Sequence, residues 1–270
     1  MLNIIVVPLD QKKEQLTAQL RALPSLLIAY SGGVDSAYLL HAAYLELGDK
    51  CRAIIADSPS LPRQELTDAL NLAAACHWPV EVIATAELDN PDYAANPANR
   101  CYFCKHELFQ KLEHHARGQG ITHLAYGENA DDALQFRPGR QAAVEFSILA
   151  PLRDASLTKT DIRELSRQAG LPTAAKTAQP CLASRLPTGR PVTREALAQV
   201  EAGEIILRES GFHIFRLRHH GSTATIQVAV AELPRIQQPA FRLDLTNRIR
   251  AVGFDSVEFD PAGYHGPSLQ

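Results

Sequence analysis

No run in this sequence approaches the about 18 consecutive apolar residues that a membrane-spanning helix requires. The opening MLNIIVVPLDQKKEQL also lacks the basic region that a secretory leader carries ahead of its apolar residues, so the expected location is the cytoplasm. Cysteine is scarce and odd in number: five in 270 residues exclude a disulfide framework and leave thiols or metal ligands. Positive charge is not in excess either. The 27 Lys and Arg stand against 30 Asp and Glu, a formal net charge of -3, which offers a polyanion such as tRNA no general attraction. Neither an internal repeat nor a low-complexity segment interrupts the chain.

What is present is the composition of a globular protein, 46% apolar and 21% charged, in a chain long enough for one large and one small domain. From Ser25 to Pro151, short apolar runs alternate with amphipathic stretches, the pattern of stacked βα units. Strands are predicted over 26–30, 53–56, 80–85 and 122–126, which makes the expected fold α/β with a doubly wound parallel sheet. Ligands of such sheets bind beyond the carboxyl ends of the strands, so Ser31, Asp57 and the run from Gly127 to Asp132 are expected to be neighbours. After Pro172 the chain turns rich in Thr, Ala, Gln and Pro, and the boundary is placed near 190, giving domains 1–190 and 191–270. Beyond it, Thr193 reads as the N-cap of a helix reaching Ser210 and closed by Gly211. A hairpin of 213–219 and 223–230 around Gly221-Ser222 follows, then a helix over 243–251 and a strand over 256–259, a small α+β domain.

The strongest local signal is LLIAY-SGGVDS-AYLLHAAYLELG, a buried strand entering a glycine turn and then a helix. Gly32 and Gly33 carry no Cβ atoms, so successive backbone N–H groups can line an anion site at the helix N-terminus, and Ser31 and Ser36 add hydroxyls. Asp35 beside phosphates makes sense with a divalent cation such as Mg2+; the plain reading is an acidic residue in a helix's first turn. The loop is not the Walker A pattern. It resembles the loop of the ATP pyrophosphatase (PP-loop) superfamily, whose members cut ATP between the α and β phosphates. That resemblance implies transfer of AMP, with Asp57 and Ser58 near the nucleoside, although a strand-end turn also accounts for those two.

Three segments narrow the resemblance: ADSPSLPRQEL from Ala56, NRCYFCK from Asn99, and the run from GENADD at Gly127 through RPGR to PCLASRLPTG at Pro180. Together they resemble the LarE-type sulfur transferases over nearly the whole chain. The implied substrate is a pyridinium mononucleotide whose carboxylates become thiocarboxylates in nickel-pincer nucleotide cofactor synthesis, and a homo-oligomer is implied. Cys181 occupies the family's sulfur-bearing position, and Lys176 and Arg185, close in sequence, favour a thiolate there. The competing reading is a buried, inert cysteine. In the simplest members the resemblance implies that this cysteine gives up its own sulfur and becomes dehydroalanine.

Cys101 and Cys104 depart from that scheme. With Cys181 they supply three thiolates, enough for a [4Fe-4S] cluster with one iron left open to carry sulfide, as in the family's cluster-bearing branch; a redox C-x-x-C or a zinc site with another ligand are the alternatives. Cys51 and Cys76 read as structural. Lys105 could neutralise an adenylate phosphate or a substrate carboxylate, or simply be solvated. Asp131 and Asp132 follow a strand at the ligand edge, where Asp132 could meet Mg2+ or ribose or serve as a helix cap. Arg216 and Arg218 alternate with Phe215 and Leu217, which puts two guanidinium groups on one strand face as a phosphate clamp or a solvated face.

The resemblance adds Ser184, Arg185 and Glu204 to the substrate side, a surface glutamate being the plain alternative for the last. His265 stands where the family's pattern has Arg. Two other functions compete: a tRNA thiolase with the same loop and cysteines, against which the acidic balance stands, and a non-catalytic iron–sulfur or ATP-sensing protein.

Overall fold

The computed structural model describes residues 7–134, 137–177 and 179–264, so His265 lies outside the described residues. The chain divides into two compact units. The first takes the described residues of 1–58, 63–86 and 101–179; the second takes those of 59–62, 87–100 and 180–270.

The first unit is built on four parallel strands: β1 (Leu26–Ala29), β2 (Cys51–Asp57), β3 (Val80–Ala84) and β4 (His123–Tyr126), in the order β3-β2-β1-β4. Leu26, Leu27 and Ile28 are fully buried, because a parallel sheet is covered on both faces by its crossover helices and loses the polar alternation of a one-sided sheet. Those helices are α1 (Leu9–Arg21), α2 (Val34–Leu47), α3 (Arg63–Ala75), α5 (Arg100–Gln119), α6 (Gly139–Glu145), α7 (Pro151–Asp154) and α8 (Lys159–Gln168); α4 (Pro91–Ala94) belongs to the second unit. Phe109 and Leu112 of α5 and Ala142 and Ala143 of α6 pack with Leu27, Ile54, Leu124 and Tyr126 as one core. Burying each larger side chain contributes about 1.5–3 kcal/mol. The expected α/β fold, with a doubly wound parallel sheet of adenine nucleotide alpha hydrolase type, is the fold observed.

Helix α1 was not anticipated. Its stretch is mostly polar, and only Leu16 and Leu20, one turn apart, are fully buried. Lys12, one turn before Leu16 on the same face, pairs with Asp161 of α8 at 2.6 Å. The chain order reverses between β1 and β4, which are hydrogen-bonded neighbours, and this switch point places a ligand crevice at their carboxyl ends.

The second unit carries β5 (Phe215–His220), β6 (Thr223–Val228) and β7 (Ser256–Phe259), with β5 antiparallel to β6 and β7 parallel to it. Helix α9 (Arg194–Glu209) packs on β5, capped as expected by Thr193, whose hydroxyl accepts from Ala196 N at 3.1 Å. Helices α10 (Leu233–Ile236) and α11 (Pro239–Arg250) complete it, α11 starting four residues before the predicted position at a proline pre-set for the first turn. No helix of the described residues is long and apolar enough to cross a membrane.

Candidate active site

The nucleotide loop sits where β1 passes into α2. Ser36 organises it: its hydroxyl accepts from Ser31 N at 3.1 Å, donates to the Gly33 carbonyl at 3.1 Å and lies 3.0 Å from Ser31 Oγ. Gly32 adopts φ +71°, and a Cβ there would lie 2.5 Å from the Ala69 Cβ of α3. On the other side, a Cβ on Gly127 would come within 2.7 Å of Ser36 N, so the end of β4 presses directly on the start of α2. The expected meeting of this loop with the Gly127–Asp132 run therefore occurs within the first unit, while Asp57, at the end of β2, is half exposed and paired with Arg63.

Asp35 lies in the first turn of α2. Its Oδ2 is 2.5 Å from Lys159 Nζ, while Oδ1 is shielded from solvent and has no hydrogen-bond partner among the described residues. An orphaned, buried carboxylate oxygen costs free energy unless a cation or donor completes it, so this atom fits a hard divalent cation. Asp132 is buried nearby, with Oδ1 2.6 Å from Arg137; burial pushes its pKa up, Arg137 opposes that, and the Asp35 charge adds to the rise.

Lys159 and Arg153 here were missed by sequence reasoning, and Lys176 was assigned to a different partner. Lys159 is the first residue of α8, where a cation opposes the helix dipole, a signal that was available. Lys176 Nζ reaches Glu65 at 2.7 Å and the Gly32 carbonyl at 3.3 Å. Buried Glu128 binds Arg140 and Arg153, each at 2.8 Å.

Cys101 and Cys104 lie in the first turn of α5 at i,i+3 spacing, which puts both sulfurs on one helix face, Cys101 exposed and Cys104 half-buried. Thiols alone are a donor set suited to iron–sulfur or zinc chemistry. Among the described residues, no three His, Cys, Asp or Glu side chains are gathered as a metal ion would require. Lys105 points its Nζ over the Tyr126 ring at 4.3 Å and the Phe109 ring at 5.5 Å. Burial lowers its pKa, with Cys104 and Glu128 working in the opposite direction. Of the two cysteines read as structural, Cys51 is buried in β2, and burial pushes its thiol up to about 12.

In the second unit, Cys181 opens a short 3-10 turn over Leu182–Arg185. Arg185 is 1% exposed, and its guanidinium donates from Nε and Nη2 to the two carboxylate oxygens of Glu204 at 2.8 and 2.9 Å. Its Nη1 donates to the carbonyls of Pro180 and Cys181 and to Ser184 Oγ, at 2.6, 3.0 and 3.1 Å. Of the two cations expected to activate Cys181, Arg185 is bound to Glu204, and Lys176, in the first unit, to Glu65 and the Gly32 carbonyl. The Arg100 guanidinium lies beside the sulfur, with Nη2 3.9 Å from Sγ.

Arg218 donates to the Ser184 carbonyl and to Gln227 Oε1, both at 3.1 Å. Arg216 is buried, with its guanidinium 5.0 Å from the centre of the Tyr264 ring; burial lowers its pKa, and so does the nearby Arg185 charge. Phe215 and Leu217, alternating with these arginines, are buried as the strand pattern requires.

No family model matches the chain. It is 40% identical over 261 residues, 97% of each chain, to an uncharacterised protein of Synechocystis sp.. To the pyridinium-3,5-bisthiocarboxylic acid mononucleotide synthase of Lactiplantibacillus plantarum it is 30% identical over 257 residues, 95% of this chain and 92% of that protein. A glutamine-hydrolysing GMP synthase of Trichormus variabilis shares 27% identity over 173 residues, 54% of this chain and 32% of the synthase. The match to the mononucleotide synthase runs through both the nucleotide loop and the cysteine turn, and the chain belongs to the LarE-type sulfur transferases of the ATP pyrophosphatase superfamily.

Proposed function

We propose that this protein is a cytoplasmic, homo-oligomeric ATP-dependent sulfur transferase that adenylates a carboxylate of a pyridinium mononucleotide and converts it to a thiocarboxylate for a nickel-pincer nucleotide cofactor. The observation that carries the reading is similarity along 95% of the chain to a synthase of that product. In support, the nucleotide loop has the atoms the first half-reaction needs. Backbone N–H groups at the start of α2 would face the phosphates, and Asp35 Oδ1, buried without a hydrogen-bond partner among the described residues, fits a cation such as Mg2+. The substrate carboxylate attacks the α-phosphorus, the bond to the bridging oxygen of pyrophosphate breaks, and pyrophosphate leaves. AMP then serves as a leaving group that a sulfur nucleophile displaces at the acyl carbon.

Cys101, Cys104 and Cys181 are the thiolates that would hold a [4Fe-4S] cluster, and such a cluster would supply sulfide at an open iron. Without one, Cys181 is the donor: its sulfur forms a thioester, then the Cα proton and the Cβ–S bond are lost together, leaving dehydroalanine and the thiocarboxylate. Anaerobic iron and acid-labile sulfide analysis separates the two. About four irons per chain, lost on Cys101→Ala with Cys104→Ala, support the cluster. No iron after reconstitution sinks it, and mass spectrometry should then show loss of one hydrogen sulfide at Cys181 after a turnover.

The reading also predicts a steric lesion. Gly127→Ala drives a methyl group into the Ser36 backbone, which cannot yield as a flexible side chain would. At a cost of about 1–3 kcal/mol placed on the bound loop, ATP affinity by calorimetry should fall roughly 10- to 100-fold. Unchanged affinity would remove β4 from the nucleotide site.

A further inference from the structure

The turn that carries Cys181 is held through its backbone. Four of its carbonyl oxygens accept from three guanidinium groups: Pro180 and Cys181 from Arg185, Ala183 from Arg100 at 3.0 Å, and Ser184 from Arg218 at 3.1 Å. On the other side, Leu182 N donates to the Ser60 carbonyl at 2.8 Å. Arg100 is itself fixed. Its Nη1 bonds Asn96 Oδ1, and the Asn96 amide, buried to 1% exposure, donates to the carbonyls of Pro187 and Arg190 at 2.8 and 2.9 Å.

An arginine that bonds a carbonyl beside a cysteine while its other nitrogen lies 3.9 Å from the sulfur defines both the backbone and the direction of Sγ. Arg185 is committed as well: Nε and one N–H of Nη2 go to Glu204, Nη1 is shared among three acceptors, and the side chain, 1% exposed, is closed to solvent. A planar fork suits this task; a lysine ammonium carries the same charge but cannot reproduce the fixed directions.

We propose that Arg100 and the Arg185–Glu204 pair are positioning residues that hold the Cys181 turn rigid and aim its sulfur, and do not themselves contact substrate. The role of the aimed sulfur rests on the sulfur-transfer reading above; the rigidity of the turn does not. Misplacing a reacting atom by about 1 Å costs on the order of 100-fold in rate, so the effect belongs in the transfer step and not in substrate affinity.

The test uses the full chain with Arg100→Met, Arg100→Lys and Arg185→Lys, ATP, and pyridinium-3,5-biscarboxylic acid mononucleotide. In Arg100→Met, thiocarboxylate formation should fall about 100-fold with KM for the mononucleotide unchanged and pyrophosphate release retained. Arg100→Lys should recover part of the loss by keeping one donor to Ala183, and Arg185→Lys should lose rate without gaining KM. Hydrogen exchange supplies the readout that needs no activity. The amides of Leu182, Ser184 and Leu186 should exchange faster in Arg100→Met while those of α9 keep their protection. A raised KM with unchanged kcat would make Arg100 a substrate contact and overturn the proposal, as would unaltered exchange in the turn. If wild type releases no pyrophosphate and forms no thiocarboxylate, the sulfur-transfer reading falls, and the exchange result still decides whether Arg100 positions the turn.

Discussion

Cys181→Ala is expected to abolish thiocarboxylate formation while pyrophosphate release from ATP with the mononucleotide continues. The two half-reactions draw on different parts of the chain. On the proposed mechanism, adenylation would use the loop from Ser31 to Ser36, Asp35 and a cation, in the first unit; transfer would need a sulfur, and Cys181 heads a turn of the second unit. Removing Sγ leaves the acyl adenylate with water as its remaining nucleophile, so the carboxylate returns and ATP is consumed without product. Activated nucleophiles removed in this way cost at least about 10³-fold. Serine in place of cysteine should do no better, because an oxygen ester cannot yield a thiocarboxylate. The measurement is parallel quantification of pyrophosphate and of the thiocarboxylate by mass spectrometry. Product formation by Cys181→Ala at the wild-type rate would assign the sulfur elsewhere and remove Cys181 from the mechanism.

Arg185→Met should destabilise the second unit by about 3–5 kcal/mol, the range for breaking a buried ion pair from one side. Arg185 is 1% and Glu204 6% exposed, so the carboxylate left behind has no water to turn to. Its residual partner is Leu217 N at 3.3 Å. The same substitution strips the Arg185 donor from the carbonyls of Pro180 and Cys181; the latter keeps Ser184 N at 3.0 Å, and the former is a further cost. Arg185→Met combined with Glu204→Leu should recover most of the loss of folding stability, because desolvating the pair nearly cancels its attraction. It should not recover sulfur transfer, because the Arg185 bonds to the Pro180 and Cys181 carbonyls stay lost. Urea unfolding of the single and double variants checks the first point; a single variant as stable as wild type would show that the pair is not closed from solvent.

Arg100→Met is the useful contrast to Arg185→Met. Arg100 is only partly buried, and its loss leaves no carboxylate stranded, so its effect should appear in the order of the turn and the rate of transfer with little change in global stability.

The elements that could be read in advance are those whose cause is local. The strand into SGGVDS, the Thr193 cap and the hairpin around Gly221 each rest on residues within a few positions of one another, and all three are present. Helix α1 escaped because its stability comes from two leucines buried against the body of the first unit, with few apolar positions to mark it. The chemical types that the proposed site calls on are legible in the same way: glycines that let backbone approach an anion, an acid suited to a cation, cysteines suited to handling sulfur.

Which partner each charge finds was not legible. Lys159 lies 124 positions from Asp35, Lys176 lies 144 from Gly32, and Arg100 lies 81 from Cys181. Arg185 could be read as a ligand for substrate or as an activator of the neighbouring thiol; the fold commits its guanidinium to Glu204 and to the turn itself. Residue type sets what a side chain can bond, and the sequence carries that directly. Choosing among the many acceptors within an arginine's reach depends on which backbone the packed core brings alongside and which side chains it closes off from water, and those are properties of the whole fold.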